Sequence, residues 1–276
     1  MENKESILQV RDLHVHFPVK RGIIIKKTVA EVKAVDGVSF DVWDGETVGL
    51  VGESGCGKTT TGRAILKLIE PTSGHVIYKG EDISTYTPKQ MLPLRHEMQM
   101  VFQDPYASLN PRMSVIDIVT DPLIEHKMIT RDQKQQKATE LLETVGLDPR
   151  YMNRFPHEFS GGQRQRIGIA RSLALNPKIL ICDEPIAALD VSIQAQVINL
   201  FQDLQEKLGL SYIFIAHDLS VVRHISDRIL VMYLGKIVET ATKRDLFKKP
   251  LHPYTKVLLS SVPTPNPALE RERRRI

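Results

Sequence analysis

The stretch that most restricts the fold is the glycine-rich segment 51–62, VGESGCGKTTTG, which directly follows the apolar run ETVGL. Its residues 52–59 fit the pattern G-x-x-x-x-G-K-[ST]. Glycines at these positions let backbone N–H groups turn inward onto an anion at the start of a helix. An ordinary glycine loop is the alternative, but the apolar strand before it and the helical pattern after it favour a phosphate-binding loop. Lys58 is then expected to bridge the β- and γ-phosphates of a nucleotide, and the Thr59 hydroxyl to hold Mg²⁺.

Length and charge limit the classes that remain. The chain has 276 residues, which predicts one large domain with a subdomain or two. Its net charge of +4 comes from interleaved acids and bases and does not call for a nucleic-acid partner. Cys56 and Cys182 lack metal-ligand spacing and indicate a reducing compartment. We find neither an apolar run of about 18 residues nor a signal peptide, so we expect a protein that starts in the cytoplasm.

The periodicity of apolar residues predicts two kinds of sheet. Residues 7–17 and 32–43 partly alternate between apolar and polar, and with 75–80 they predict an antiparallel sheet, with a hairpin or loop between the first two. Apolar strands at 47–51, 178–184, 211–218 and 228–236 alternate with helices, the clearest of which is 192–209. Such alternation favours a parallel α/β sheet. A helical section at about 112–155, whose clearest helix is 133–147 with Gly146 near its end, interrupts that sheet.

Two further segments carry candidate chemistry. The strand ILICDE delivers Asp183 and Glu184 to its carboxyl end, where open α/β sheets bind ligands. Asp183 is expected to hold Mg²⁺, directly or through water, and Glu184 to act as general base on the attacking water. The segment FSGGQRQR opens a helix at Ser160, and from its spacing alone an ordinary capped helix is the simpler interpretation.

Six motifs in order then decide between these alternatives. G-x-x-x-x-G-K-T, the glutamine of MVFQDP, SGGQRQR, LICDEP, AALD and IFIAHD together resemble the nucleotide-binding subunit of an ATP-binding cassette (ABC) transporter, over nearly the whole chain. The resemblance implies an α/β P-loop NTPase fold. Its expected parts are a RecA-like parallel-sheet core, an N-terminal antiparallel β-subdomain and an inserted α-helical subdomain.

The resemblance also implies domain boundaries. Residues 1–250 would form the ABC ATPase domain, in which 1–104 and 165–250 are the catalytic core with the β-subdomain, and 105–164 are the helical and signature subdomain. Residues 251–276 would form a C-terminal segment of the peptide-importer type.

The family's site residues carry over by position. Gln103 would sense Mg²⁺ and the attacking water, and His217 would hold the γ-phosphate, beside the catalytic Lys58 and Glu184. Phe17 falls where the family often stacks an aromatic ring on adenine, although a core phenylalanine is an alternative. The positions assigned to the nucleotide are Phe17, Gly52, Ser54, Gly55, Cys56, Gly57, Lys58, Thr59 and Thr60. Those assigned to the metal are Thr59, Gln103 and Asp183.

The remaining motifs imply a dimer of cassettes. Signature residues Ser160, Gly161, Gly162 and Gln163 would reach the ATP bound to the opposite subunit, and the D-loop Asp190 would lie at the seam. Ala187 departs from the pattern, since many relatives have a serine or threonine there. A cassette that binds ATP without hydrolysing it is disfavoured because Glu184 and His217 are both present.

Two stretches resemble the ATP-binding subunits of oligopeptide and dipeptide importers, most like the second of their two cassettes. They are QDPYASLNPRMSV (103–115) and LHPYTKVLLSSVPTPNP (251–267). In the first, the candidates for docking a membrane subunit are Tyr106, Leu109, Pro111 and Met113, with an ordinary Pro-rich loop as the alternative. Relatives often continue into cysteines that hold an iron–sulfur cluster, and we expect no such cluster within this chain.

The implied assembly is bacterial. It would contain ATP and Mg²⁺, a second paralogous ATP-binding subunit (or a homodimer), two transmembrane permeases and an extracytoplasmic peptide-binding protein, with no nucleic acid. This chain would then lie peripherally at the cytoplasmic face of the cell membrane. Nickel or glutathione importers are alternatives for the cargo. A soluble cassette acting on DNA or the ribosome is disfavoured by the absence of a heptad run and of a second cassette.

Overall fold

The structure, a computed structural model, describes residues 5–21 and 27–261. The chain divides into two compact units, residues 1–87 with 213–276 and residues 88–212. In chain order, the elements as far as the start of the second unit are β1 (Ser6–Arg21), β2 (Lys27–Trp43), β3 (Thr47–Val51), α1 (Lys58–Ile65), β4 (Ser73–Tyr78) and β5 (Glu81–Asp82). The elements of the second unit are α2 (Pro88–Glu97), β6 (Met98–Val101), α3 (Pro105–Ser108), α4 (Val115–Glu125), α5 (Lys134–Thr144), α6 (Gly161–Leu173), β7 (Ile179–Asp183) and α7 (Val191–Leu208). The elements that follow are β8 (Ser211–Ala216), which begins in the second unit, α8 (Leu219–Ile225), β9 (Arg228–Tyr233), β10 (Lys236–Thr242), α9 (Lys243–Lys248) and α10 (Pro253–Ser260).

The antiparallel sheet of the first unit has the strand order β2–β1–β4–β5. It confirms the sheet that the alternating segments predicted, but its first two strands are longer than expected. Pairing of β1 with β2 continues to Arg21 opposite Lys27, through residues that the sequence pattern assigned to a hairpin or loop. The pattern missed this extension because a backbone ladder needs no apolar side chains to continue.

The other strands of the first unit lie in the order β10–β9–β3–β8. β3 pairs in parallel with β9, while β10 pairs antiparallel with β9, so the arrangement is mixed rather than purely parallel. Every residue of β3 is buried, as its continuous apolar run predicted. Helix α8 packs against this strand at Gly49, where an added Cβ would lie 2.2 Å from Val222 Cγ1. The strand therefore needs a residue without a side chain at that position.

Among its described residues, the second unit combines the parallel strands β6 and β7 with six α-helices, α2 to α7. β6 pairs with β7 in the register Met98 opposite Ile179. Helix α5 confirms the predicted helix, and Gly146 follows its end in a left-handed conformation, with φ 69°. Helix α7 ends at Gly209, also left-handed, as the pattern predicted. The domain boundaries proposed at residues 104/105 and 164/165 remain predictions. In the part of the chain that the structure describes, no helix combines the length and apolarity needed to cross a bilayer.

Substitution of Gly49 by alanine tests the close approach of α8 to β3. The new methyl would meet Val222 and Ser226 Oγ, the latter at 2.5 Å, so we expect a loss of roughly 1–3 kcal/mol in unfolding free energy. The measurement is the denaturant midpoint of the intact chain. Gly168→Ala in α6 is the matched control, because nothing lies within 4 Å of its added Cβ. Equal stability of the two variants would contradict the close packing.

Candidate active site

The phosphate-loop segment lies between β3 and α1 in the first unit, as its sequence predicted. Its turn depends on glycines in conformations that side chains rarely adopt, with φ 154° at Gly52 and φ 111° at Gly57. A Cβ on Gly57 would lie 2.0 Å from the carbonyl oxygen of Ala34. Only glycine therefore lets this loop pass so close to the neighbouring backbone.

Lys58 is the first residue of α1, and only 4% of it is exposed. Its Nζ donates to the carbonyl oxygens of Gly52 and Glu53, both at 2.8 Å. The loop thus curls around the ammonium group that the sequence assigned to phosphate binding. Burial raises the pKa of the neighbouring Cys56 thiol, although Lys58 partly offsets this effect. The thiol of Cys56 consequently stays neutral and acts as a small apolar group in the loop.

Residues outside the motif also hold the loop. The backbone N–H of Glu53 donates to the hydroxyl of Tyr254, at 3.0 Å, and the Tyr254 ring lies against Tyr233 with ring centroids 4.3 Å apart. The N–H of Gly235 donates to the carbonyl of Cys56, at 2.9 Å. The sequence interpretation missed Tyr254, which stands 201 positions from its partner. The aromatic residue in HPYT was the available signal, but nothing in the local sequence predicts what its hydroxyl contacts.

Two other predicted residues of the first unit lie at exposed positions. Phe17 on β1 is 42% exposed and pairs with Val32 across the ladder, so it is not the core phenylalanine that was the alternative. His217 directly follows β8 and is exposed, and Asp218 after it caps α8 by accepting from the Ser220 N–H. Both side chains are therefore placed where a ligand could reach them.

In the second unit, β7 ends at Asp183, which is 1% exposed. Glu184 follows it in a left-handed conformation, with φ 45°, which is uncommon for a side chain of this kind. The amide Nε2 of Gln103 donates to Glu184 Oε2 at 2.9 Å. The structure thus brings together the predicted general base and the predicted Q-loop glutamine, which are 81 positions apart in the chain.

The signature segment begins α6 with a capping box. The Gln163 N–H donates to Ser160 Oγ, while the Ser160 N–H donates to Gln163 Oε1 at 3.0 Å. A Cβ on Gly162 would lie 2.4 Å from Cγ2 of Ile193, so glycine is needed for α6 to approach α7. The serine therefore caps its helix, as the simpler interpretation held. The proposed contact of Ser160 with the nucleotide of a second cassette remains a prediction.

The D-loop lies immediately before α7, in the same unit. Gln194 Nε2 donates to the carbonyl oxygens of Ile186 and Leu189, at 3.1 and 3.0 Å, which fixes the loop against the helix. Asp190 is exposed at the start of α7, and Val191 is 82% exposed. Both side chains are therefore accessible, and the place of Asp190 at a seam between two cassettes remains a prediction.

Comparison with known proteins identifies the family. Residues 35–187 match the model for the ABC transporter family. The chain belongs to the ABC transporter family. Residues 238–276 match a second model, described as oligopeptide/dipeptide transporter, C-terminal region. Residues 262–276 of that match lie outside the described residues. The expectation that the chain holds no iron–sulfur cluster is not tested.

Individual relatives agree with this assignment. The chain is 57% identical to the oligopeptide transport ATP-binding protein AppF of Bacillus subtilis, over 95% of this chain and 79% of the relative. It is also 57% identical to OppF of the same organism, over 98% of this chain and 86% of the relative. A solved structure of the cassette MJ0796 bound to ADP and Pi is 28% identical, with a TM-score of 0.76, and covers 86% of this chain and 99% of that one. The predicted α/β P-loop NTPase fold is confirmed, and the chain is an ABC-type ATPase subunit.

Substitution of Tyr254 by phenylalanine tests the contact with the phosphate loop. Loss of one hydrogen bond to a loop N–H should loosen the loop and weaken nucleotide affinity about two- to fivefold. Titration with a fluorescent ATP analogue measures the change. Tyr86→Phe is the matched control, since the Tyr86 hydroxyl donates to Glu81 on an exposed surface. An unchanged affinity for Tyr254→Phe would show that the contact does not order the loop.

Proposed function

We propose that this chain is the ATP-hydrolysing subunit that energises a bacterial importer of oligopeptides or dipeptides. The single observation that supports a peptide cargo is the match of residues 238–276 to the C-terminal region of oligopeptide/dipeptide transporters. The relatives AppF and OppF, both oligopeptide transport ATP-binding proteins, support it. ATP binds between two cassettes and drives their closure, and hydrolysis reopens them.

The nucleotide phosphates bind in the loop at residues 52–59, with the adenine ring on Phe17. Lys58 is already directed into the loop by the carbonyl oxygens of Gly52 and Glu53, so binding of phosphate exchanges those partners for anionic oxygens. His217 contacts the γ-phosphate. The exposure of Phe17 supports the stacking role, since a buried ring could not receive adenine.

From the family's motifs, the residues that would hold Mg²⁺ are Thr59 through its hydroxyl, Asp183 through its carboxylate and Gln103 through its amide oxygen. The donor set fits the ion, because Mg²⁺ takes oxygen ligands and usually few of them from protein. Asp183 is 1% exposed at the end of β7, and a carboxylate is one of the oxygen ligands that suit this ion. When bound, Mg²⁺ neutralises charge on the β- and γ-phosphates.

Glu184 acts as the general base. The bond from Gln103 Nε2 holds the Glu184 carboxylate in place, and this carboxylate would accept a proton from the attacking water. The left-handed backbone of Glu184 is a cost that the fold carries at this position, as is common at functional sites. The signature residues Ser160 and Gly162 of a second cassette stabilise the charge that develops on the far side of the γ-phosphate.

The variant Glu184→Gln tests the general base. An amide keeps the size of the side chain but cannot accept the proton of water, so turnover should fall about 10²- to 10⁴-fold while ATP affinity is kept. Steady-state release of phosphate and equilibrium binding of ATP are the two measurements. Glu206→Gln, on the exposed side of α7, is the control and should retain turnover. Persistent hydrolysis in Glu184→Gln would refute the assignment.

The proposed partners are a second ATP-binding subunit, a similar paralogue or a second copy, together with two permeases and an external peptide-binding protein. The subunit acts at the cytoplasmic face of the membrane. The permeases dock near residues 106–113, where Pro111 is exposed and Met113 is half-buried. Leu109 is only 2% exposed, so it packs inside the second unit and is withdrawn from the docking candidates. The side chain of Tyr106 lies outside the described residues.

Reconstitution in lipid tests the importer and its cargo. We expect ATP hydrolysis by the full assembly to rise on addition of the peptide-loaded binding protein, because closure of the cassettes is coupled to the permeases. The rise should vanish in Lys58→Ala. Stimulation by glutathione or nickel instead of peptide would reassign the cargo and keep the ATPase. Copurification with ribosomes in place of permeases would overturn the transport role.

A further inference from the structure

Three metal-ligating side chains of the first unit converge outside the proposed active site. They are His14 and His16 on β1 and Asp36 on β2, and one ligand atom of each lies within 4.8 Å of the other two. Strand β1 is irregular here, with a shift of register between Leu13 and His14 and another between Val15 and His16. The two histidine rings meet edge to face, with centroids 5.4 Å apart.

The two distances from Asp36 to the histidine nitrogens match those between neighbouring ligands around a small tetrahedral ion. Asp36 Oδ1 lies 3.3 Å from His14 Nδ1 and 3.4 Å from His16 Nε2. These separations exceed the usual range of about 2.7–3.2 Å for an N–H···O hydrogen bond. With metal–ligand bonds of about 2.0–2.1 Å, tetrahedral angles place neighbouring ligand atoms about 3.3–3.4 Å apart.

The outer contact of His14 is the one that a metal-binding histidine makes. His14 Nε2 lies 3.1 Å from Asp12 Oδ1. In the tautomer that donates its proton there, the lone pair of Nδ1 faces Asp36 Oδ1, 3.3 Å away. A carboxylate behind a ligating imidazole fixes the ring and raises its basicity. Without a cation or an extra proton between them, the Nδ1 lone pair and the Asp36 carboxylate would face each other as two acceptors.

His16 supplies an independent observation. Its Nε2 is buried, and its contact with Asp36 Oδ1, at 3.4 Å, is not a well-formed hydrogen bond. Its other nitrogen, Nδ1, lies 3.7 Å from Glu31 Oε2. A buried nitrogen without a well-formed hydrogen bond is costly, and an ion bound between it and Asp36 would satisfy it.

Two lysines are the charged groups that compete with such an ion. Lys33 Nζ lies 3.5 Å from Asp36 Oδ1, and Lys236 Nζ of β10 lies 3.4 Å from Oδ2. Both side chains are mostly exposed, at 58% and 62%, so they can withdraw into solvent. Burial raises the pKa of Asp36, but the two lysines and His16 together lower it. The lysines should therefore weaken metal affinity without preventing it.

We propose that His14, His16 and Asp36 form a binding site for a divalent transition-metal ion of the Zn²⁺ type, with Asp12 positioning His14. Imidazole and carboxylate ligands suit zinc and its neighbours, and a fourth ligand would be water. The site is joined to the phosphate loop through backbone bonds, because the Asp36 N–H donates to Gly235 and the Gly235 N–H donates to Cys56. A bound ion would stiffen the strand next to Phe17.

Calorimetric titration with ZnCl₂ tests the site, using the full chain after chelator treatment, without nucleotide or phosphate. We expect one ion per chain, with micromolar or tighter affinity that falls as the pH is lowered from about 7.5 to about 5.5, since protons compete for histidine. His14→Ala, His16→Ala and Asp36→Asn should each lose at least about tenfold, and Asp12→Asn somewhat less. His75→Ala is the control, because His75 pairs with Asp82 elsewhere in the same sheet. Absence of binding, or equal loss in the control, overturns the proposal.

Substitution of the lysines gives a test in which binding should become tighter. Damage to the fold could only weaken it. Lys33→Gln and Lys236→Gln remove competing cations, so each should tighten zinc binding severalfold. Unchanged or weaker binding in both would contradict the arrangement described above. Titration with Co²⁺ gives a second readout, since a tetrahedral site produces strong visible absorption that should disappear in His16→Ala.

Discussion

The buried ammonium of Lys58 is the group around which the candidate site is organised. A charge that is 96% removed from solvent must be held by polar partners, and here they are two carbonyl oxygens of the loop that precedes it. To bring those carbonyls onto one lysine, the chain must leave β3, reverse and enter α1 within a few residues. The positive φ angles of Gly52 and Gly57 make that reversal possible. The shape of the loop is therefore consistent with the need to satisfy one buried charge.

In the second unit, strand pairing brings distant site residues together. Parallel pairing of β6 with β7 places the segments after both strands at the same edge, so Gln103 and Glu184 come within hydrogen-bond reach. The residues between the two strands form the helices that carry the signature segment. Contact between α6 and α7 at Gly162 then ties the signature to the D-loop. Strand pairing and helix contact thus bring together site residues that are far apart in the sequence.

The sequence could predict features that depend on local patterns, but not those that depend on contacts between distant residues. The strands β3 and β7, the helix α7 and the phosphate loop were predictable because each has a strong local pattern: a continuous apolar run, a helical period or a glycine spacing. Strand β6 and helix α2 were not, since β6 has only four residues and α2 contains Pro93, which normally argues against a helix. β6 is stabilised by pairing with β7, a contact about 80 positions away. The motifs found the site residues, but their neighbours, such as Tyr254, depend on contacts that leave no local signal.

The C-terminal region shows how a family-specific segment can act on a general one. The carboxylate of Glu239 accepts from the N–H groups of Leu251 and His252, and these bonds lower its pKa even though burial raises it. His252 in turn caps α10 by accepting from the Tyr254 N–H, which sets the ring that contacts Glu53. The residues that match the peptide-transporter model are thus bonded in series to the phosphate loop. Hydrogen bonds thus connect the start of α10 directly to the loop.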